Sequence, residues 1–243
     1  MDRRIIIAII AVIGGVLATY LIANAVINRN EDTRTITVTG LGSKEFTSDL
    51  VVWNGRFARQ DKDLKQAYEA LERDRKVVEG YLLSQGLKKE EIVFSAVDIS
   101  RNYQSERDDE GHYSQRFMGF VLEQSVSLES KDIAKIEAVS RNISEIINQG
   151  IEFTSLSPRY YYTRLAELKH EIIAKATEDA RIRAEKIAQN SGGRLGRLTK
   201  ATTGIIQITA PYSDEEYSYG GTFNTSSKEK VASITIKLEY KVR

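Results

Sequence analysis

The sequence contains no cysteine, which excludes disulfides, thiolate nucleophiles and sulfur-ligated metal sites. It also lacks an excess of either charge, because 35 Lys and Arg residues balance 34 Asp and Glu residues and leave a formal net charge of +1. Such a chain has no long-range field to steer nucleic acid, and no basic patch is dense enough to bind it. We therefore expect no thiol-based site and no nucleic acid partner.

Histidine is nearly absent as well, since His112 and His170 are the only two. Neither has the spacing of a metal ligand or belongs to an HExxH motif. The acidic runs Asp108–Glu110 and Asp214–Glu216 lack the alternating oxygen ligands and the glycine turn of a calcium loop. The sequence thus predicts no metal, no cofactor and no catalytic residue, and a protein that is not an enzyme.

A long apolar run stands near the N-terminus, at residues 5–27, after a short basic start at residues 1–4. As a helix it would be about 34 Å long, and a hydrocarbon core is about 30 Å thick. Because Arg3 and Arg4 precede the run, the positive-inside rule places the N-terminus in the cytoplasm. We predict a transmembrane signal anchor in the inner (cytoplasmic) membrane, a linker at residues 28–33 and an extracytoplasmic, periplasmic domain at residues 34–243.

A cleaved signal peptide is the alternative, because Ala23–Ala25 has the small-x-small form of a cleavage site. A signal peptide usually has an apolar region of only about 7 to 15 residues, so the length favours the uncleaved anchor. Both interpretations export the domain, which is either held at the membrane or released into the periplasm.

Two glycines, Gly40 and Gly42, follow an alternating apolar run that predicts a first strand. A dinucleotide-binding G-x-G-x-x-G motif opens a helix, whereas here Val51 and Trp53 mark another strand. The sequence therefore predicts that the first strand ends at Gly40 in a glycine turn, and not a phosphate-binding loop.

Three helices are predicted from apolar stripes at helical spacing. The first is capped by Asp61 and stopped by Gly86, the second covers residues 131–150, and the third covers residues 164–190. The third carries a ridge of small residues that lets a neighbouring backbone approach closely: Ala176, Ala180, Ala184 and Ala188.

Alternating strand patterns lie between these helices, and several are joined as hairpins. Gln-Gly followed by an aromatic strand occurs twice, before Phe94 and before Phe153, which indicates a duplicated strand-helix-strand unit. The predicted fold is α+β, a mainly antiparallel sheet with three helices packed on it, preceded by the N-terminal transmembrane helix.

Tyrosines cluster in two segments that have the composition of a contact surface. One follows Pro158, and the other is a loop rich in serine and glycine; a mobile hairpin with scattered aromatics is an equally good interpretation of the loop. The candidate interface residues are Tyr160, Tyr161, Tyr162, Tyr212, Tyr217, Tyr219 and Phe223.

Two stretches resemble the signatures of a known family. ITVTGLGSKEFTSDLVVWNGRFARQ, residues 36–60, resembles the N-terminal signature of the SIMPL-domain (DUF541) family, although Ser48 stands where many relatives have proline. KATEDARIRAEKIAQNSGGRLGRL, residues 175–198, resembles its C-terminal signature. The resemblance implies an exported bacterial cell-envelope protein linked to stress, of unknown biochemical activity, that forms homo-oligomers and has no established catalytic residues.

From the sequence we thus expect a membrane-anchored, non-enzymatic domain that self-associates through edge strands and the tyrosine-rich loop. The alternative is a periplasmic module that binds a ligand or partner in a cleft between the duplicated units.

Overall fold

The computed structural model describes residues 12–25, 34–107, 113–214 and 218–243. Helix α1 is described at residues 12–25, and the other described elements form two antiparallel sheets, each with its own helices and apolar core. The strands are β1 (Thr35–Thr47), β2 (Leu50–Asp61), β3 (Ile92–Phe94), β4 (Asp98–Arg107), β5 (Tyr113–Ser130), β6 (Phe153–Ser155), β7 (Arg159–Tyr161), β8 (Leu195–Thr203), β9 (Gln207–Thr209) and β10 (Glu229–Val242). The remaining helices are α2 (Leu64–Ser84), α3 (Ile133–Asn142) and α4 (Leu165–Asn190), and short 3-10 helices cover Lys89–Glu91 and Ile143–Gln149.

The central sheet has the strand order β3-β5-β2-β6, with β4 also paired to β5 and β7 to β2. Helices α2 and α3 cover one face and bury Trp53, Phe57 and Leu122 almost completely. Gly55 is required here, because a Cβ at this position would lie 2.2 Å from the ring of Phe153. The ring of Phe153 in turn stacks on Trp53, with a centroid distance of 6.0 Å.

The two halves of the central sheet are built alike. Strand β2 leads into α2 and then β3, which pairs with β5; strand β5 leads into α3 and then β6, which pairs with β2. Gly86 and Gly150, with φ of 77° and 74°, end the two helical segments in the left-handed conformation that glycine adopts easily. The repeated Gln-Gly motifs therefore mark equivalent positions in the two halves.

The terminal sheet has the order β1-β10-β8, with β9 also paired to β10, and α4 lies across it. The alanine ridge of α4 is fully buried against β1. A Cβ on Gly40 would lie 2.2 Å from the carbonyl oxygen of Ala176, and a Cβ on Gly42 would lie 2.0 Å from that of Ile172. The predicted glycine turn is thus wrong, because both glycines lie inside β1, where their missing side chains admit the helix.

The two sheets meet where β1 passes into β2, at Asp49. Its carboxylate accepts hydrogen bonds from the Thr163 backbone N–H at 2.7 Å and from the Thr163 hydroxyl at 2.8 Å. Nearby, the Tyr160 backbone N–H donates to the carbonyl of Thr225 at 2.7 Å, and the buried Lys230 ammonium donates to the carbonyl of Asn224 at 2.6 Å. The segments that join the sheets are therefore tied together by hydrogen bonds.

The predicted helical segments are confirmed, with two changes. The segment predicted at residues 131–150 is α-helical only at Ile133–Asn142 and continues as a 3-10 helix at Ile143–Gln149, and the first helix starts differently. Asp63, not Asp61, caps α2, because its carboxylate accepts from the backbone N–H groups of Lys65 and Gln66. Asp61 is the last residue of β2 and accepts instead from the Asp63 N–H at 2.9 Å. The single predicted sheet is also corrected to two, since alternation along a strand does not reveal which strands it joins.

The membrane-spanning helix predicted at residues 5–27 is wrong as far as the described residues go. Among them, no helix has both the length and the apolar character needed to cross a bilayer. Residues 5–11 and 26–27 of the prediction lie outside the described part.

Candidate interaction surfaces

The first tyrosine cluster lies at the meeting point of the two sheets. Tyr160, Tyr161 and Tyr162 are each half-buried. Tyr160 packs against the central core and donates its hydroxyl hydrogen to Glu137 at 3.0 Å; burial, followed by this hydrogen bond, raises the pKa of the Tyr160 hydroxyl. Tyr162 packs against Phe46 of the terminal core, at a centroid distance of 4.8 Å. Most of the surface of these three side chains is therefore buried within the chain.

The second cluster is presented to solvent. Tyr212 and Tyr219 are fully exposed and Phe223 is half exposed, while Tyr217 lies outside the described residues. The base of the loop is held by Gln207, whose buried side-chain oxygen accepts from the Thr222 N–H at 2.7 Å and whose amide donates to the Ser218 carbonyl at 2.9 Å. The loop therefore has a base held by hydrogen bonds and exposes aromatic side chains to solvent.

A groove of about 530 Å³ runs beside this loop. Its lining includes Leu41, Ile205 and Tyr219, whose side chains are all more than half exposed, together with polar groups of Gln207 and Ser233. The groove adjoins the terminal sheet and does not lie between the duplicated halves of the central sheet. It has the size of a small-ligand site, and its mixed lining suits a partly apolar molecule.

The hairpin of β4 and β5 extends beyond its neighbours. Strand β2 pairs with β5 only from Phe120 onward, so residues 113–119 of β5 have β4 on one side and no described strand on the other. All ten residues of β4 are exposed, and its outer edge has no partner strand among the described residues. We call residues 98–107 together with 113–119 the hairpin arm.

An aromatic cluster joins the hairpin arm to Phe120 at its base. The rings of Tyr103 and Phe117 contact edge to face at a centroid distance of 5.5 Å, and Phe117 contacts Phe120 in the same way at 5.2 Å. The guanidinium of Arg101 lies 5.9 Å from the ring centre of Phe120, which is cation–π range. The arm therefore combines apolar side chains, positive charge and a free backbone edge.

The sequence predicts no metal site, and only some of the residues considered for that prediction are described in the structure. Within that part, no three His, Asp or Glu side chains are grouped to hold a metal ion. His170 is exposed on α4, while His112 and the run Asp108–Glu110 lie outside the described residues, as do Glu215 and Glu216. The structure brings no histidine and hydroxyl together as a candidate catalytic pair among the contacts it describes.

The hairpin arm is a surface that was not predicted from the sequence. One signal was available, because residues 98–107 carry only two large apolar side chains, Ile99 and Tyr103. A strand that packs on a core needs an apolar face, so a polar strand of this length indicates one that projects from the body.

The fold and surfaces define an α+β domain with two antiparallel sheets and a projecting hairpin. The model of the SIMPL family, described as a protein of unknown function (DUF541), matches residues 36–243. The chain therefore belongs to the SIMPL family. The comparison with curated proteins gives no match.

Proposed function

We propose that this chain is a non-enzymatic domain that self-associates through an exposed sheet edge, with the tyrosine loop as a second contact surface. The hairpin arm carries this proposal, because β4 is exposed at every position and, within the described ranges, pairs with another strand along one side only. An unpaired strand edge is a template for another strand, and proteins either cover such edges or use them for association. Self-association satisfies the free backbone groups of β4.

The proposed location is the cell envelope, outside the cytoplasm. Its support is in the sequence, where a basic start precedes an apolar run that includes the small-x-small triplet Ala23–Ala25. Release by cleavage after Ala25 would give a domain that contains the complete SIMPL match at residues 36–243.

Binding of a small molecule is the second candidate function. It is favoured by the groove beside the tyrosine loop, whose volume of about 530 Å³ falls within the range of ligand sites. Tyr219 belongs to both candidates, because it is exposed on the loop and also lines the groove. A Tyr219→Ala variant that lost a ligand but kept its mass in solution would favour binding over assembly.

Light scattering after gel filtration of the full chain tests self-association. We expect a discrete mass that is a multiple of 27.4 kDa. A mass of 27.4 kDa that persists at high protein concentration would overturn the proposal.

A double variant, Tyr212→Ser with Tyr219→Ser, tests the loop, and we expect it to raise the dissociation constant about tenfold, as hot-spot tyrosines do. Substitution is preferable to deletion of the loop, because the Thr225 carbonyl accepts the hydrogen bond of Tyr160. Tyr160→Phe is the matched control, since Tyr160 packs inside the chain. An unchanged dissociation constant in the double variant would remove the loop from the proposal.

A further inference from the structure

The two sheets protect most of their edges. Helix α4 packs along β1, and its Asp179 accepts a hydrogen bond from the outward N–H of Leu41. Strands β3, β6 and β7 are only three residues long. Strand β8 is longer, but its pairing with β10 has two register shifts and it carries Arg197 and Lys200.

Strand β4 is less protected, although it carries Arg101 and Arg107. It is ten residues long and contains neither proline nor lysine. Its pairing with β5 has one irregularity, where Asn102 faces Gly119 and Tyr103 faces Phe117. The extra residue is Met118 on β5, so β4 itself runs without interruption. The outer row of backbone N–H and C=O groups on β4 is therefore continuous, and no other strand in the described part of the chain pairs with it.

Charge restricts how two copies of β4 can pair. Two identical antiparallel strands related by a two-fold axis place one central residue opposite its own copy, and opposed side chains share a face. With Arg101 at the centre, two arginines face each other; with Asn102 there, Asp98 faces Glu106. With Gln104 at the centre, Arg101 faces Arg107. Each of these registers opposes like charges, which destabilises a strand pair.

Registers centred on Ser100 or Ser105 oppose no like charges but pair only five residues of β4, whereas the register centred on Tyr103 pairs residues 99–107 and opposes no like charges among them. In it, Tyr103 meets Tyr103 of the second copy, so the two Tyr103–Phe117 contacts become one continuous aromatic cluster. The other opposed pairs are Ile99 with Arg107, Ser100 with Glu106, Arg101 with Ser105 and Asn102 with Gln104.

We propose that two copies of this chain join their central sheets by antiparallel pairing of β4 with β4, about a two-fold axis at Tyr103. This inference rests on the proposed self-association and adds which edge and which register it uses. Each copy provides the same surface, so the contact closes as a dimer and leaves the tyrosine loops free for further contacts.

Cysteine crosslinking tests the register directly, because the chain contains no cysteine of its own. Directly opposed residues in antiparallel strands have Cα atoms about 4.5 to 5.5 Å apart, which suits a disulfide. We expect Tyr103→Cys, under mild oxidation, to give a reducible species of twice the 27.4 kDa chain mass.

Ser105→Cys is the matched control, since Ser105 is exposed, lies on the same face of β4 and is two residues away. In the proposed register the two copies of residue 105 are about 14 Å apart, too far for a disulfide. A mixture of Arg101→Cys and Ser105→Cys chains should crosslink, while neither variant should do so alone. The mixture keeps Tyr103 intact, so it tests the register even if Tyr103→Cys weakens the aromatic contact.

Light scattering on the parent chain separates the two proposals. An oligomer in which Ser105→Cys alone crosslinks as well as Tyr103→Cys, or in which neither Tyr103→Cys nor the mixture crosslinks, would overturn the register and leave self-association standing. A monomeric parent chain would overturn both.

Discussion

The backbone N–H of Leu41, in the edge strand β1, donates a 2.9 Å hydrogen bond to a carboxylate oxygen of Asp179 on α4. The Asp179 carboxylate also binds Arg183 one helical turn away, at 2.9 Å. The Leu41 hydrogen bond, followed by Arg183, lowers the pKa of Asp179. One side chain thus caps a strand edge while it holds that edge to the helix.

The lowered pKa of Asp179 gives a pH-dependent contribution to stability. This contribution is complete above the unfolded pKa of about 3.9 and is lost as the pH falls through the lower folded pKa. We expect Asp179→Ala to lower the thermal unfolding midpoint at about pH 7, and the difference from the parent to shrink steadily as the pH falls below about 4. Asp214→Ala, an exposed loop substitution, is the control. A deficit for Asp179→Ala that is constant with pH would contradict the role of the charge.

Gly40→Ala tests the contact between β1 and α4. The added Cβ would lie 2.2 Å from the Ala176 carbonyl oxygen and 2.5 Å from the Ala180 nitrogen, so strand and helix must separate. We expect the free energy of unfolding to fall by about 3 kcal/mol, or the variant to fail to fold. Overpacking of a core typically costs about 1 to 3 kcal/mol, and the contacts here are backbone atoms that cannot rotate away. Urea unfolding measures the loss of stability.

Gly80→Ala provides the control for that substitution. Gly80 is exposed in α2 and a Cβ there meets no atom within 4 Å. Alanine in a helix interior is more stable than glycine by about 0.5 to 1 kcal/mol, so the control should stabilise the protein. Equal losses in both variants would mean that Gly40 is not a close-contact position.

A buried ion pair between Arg59 and Asp74 predicts unequal effects of its two substitutions. The Asp74 side chain is 8% exposed and that of Arg59 is 33% exposed. Arg59 binds Asp74 through two nitrogens and also donates to the Gly150 carbonyl at 2.7 Å. The Asp74 hydrogen bond raises the pKa of Arg59 despite its burial.

Arg59→Ala leaves a buried carboxylate without its partner, which should cost about 3 kcal/mol or more. Asp74→Asn leaves a guanidinium that reaches water, so its cost should be smaller, about 1 to 2 kcal/mol. Chemical denaturation of both variants measures the two values. A larger loss of stability in Asp74→Asn than in Arg59→Ala would show that other groups stabilise the Asp74 carboxylate when Arg59 is removed.

The proposed export and cleavage predict a defined mature N-terminus. If processing follows the Ala23–Ala25 triplet, the mature chain begins at Val26. Intact-mass spectrometry of the protein purified from its native compartment measures this directly. Asn24→Pro with Ala25→Leu should block processing and retain the apolar run. A chain isolated with residues 1–25 still attached would contradict cleavage.

Local patterns were sufficient to predict the helices, because the apolar residues at helical spacing and the glycine that ends each helix lie within the segment itself. Gly86 ends α2 with φ of 77°, and the Glu171–Lys175 and Asp179–Arg183 pairs form as their spacing predicts. These features depend on residues a few positions apart.

The prediction of a glycine turn failed because the structural role of the two glycines depends on a helix distant in the sequence. The alanine ridge indicates that some backbone comes close to α4, and Gly40 and Gly42 indicate a position without side chains, yet more than a hundred residues separate them. No pattern within β1 reveals that they meet. The same limit hid the division into two sheets.

The terminal sheet brings the two ends of the described SIMPL domain together. Strand β1 pairs with β10 from Thr35 opposite Lys241 to Thr47 opposite Glu229, and the Val242 N–H donates to the Arg34 carbonyl at 3.0 Å. Every strand of the central sheet lies between β1 and β10 in the sequence. A growing chain can therefore complete the central sheet on its own, but β1, 13 residues long, pairs with no other described strand until β10 has been synthesised.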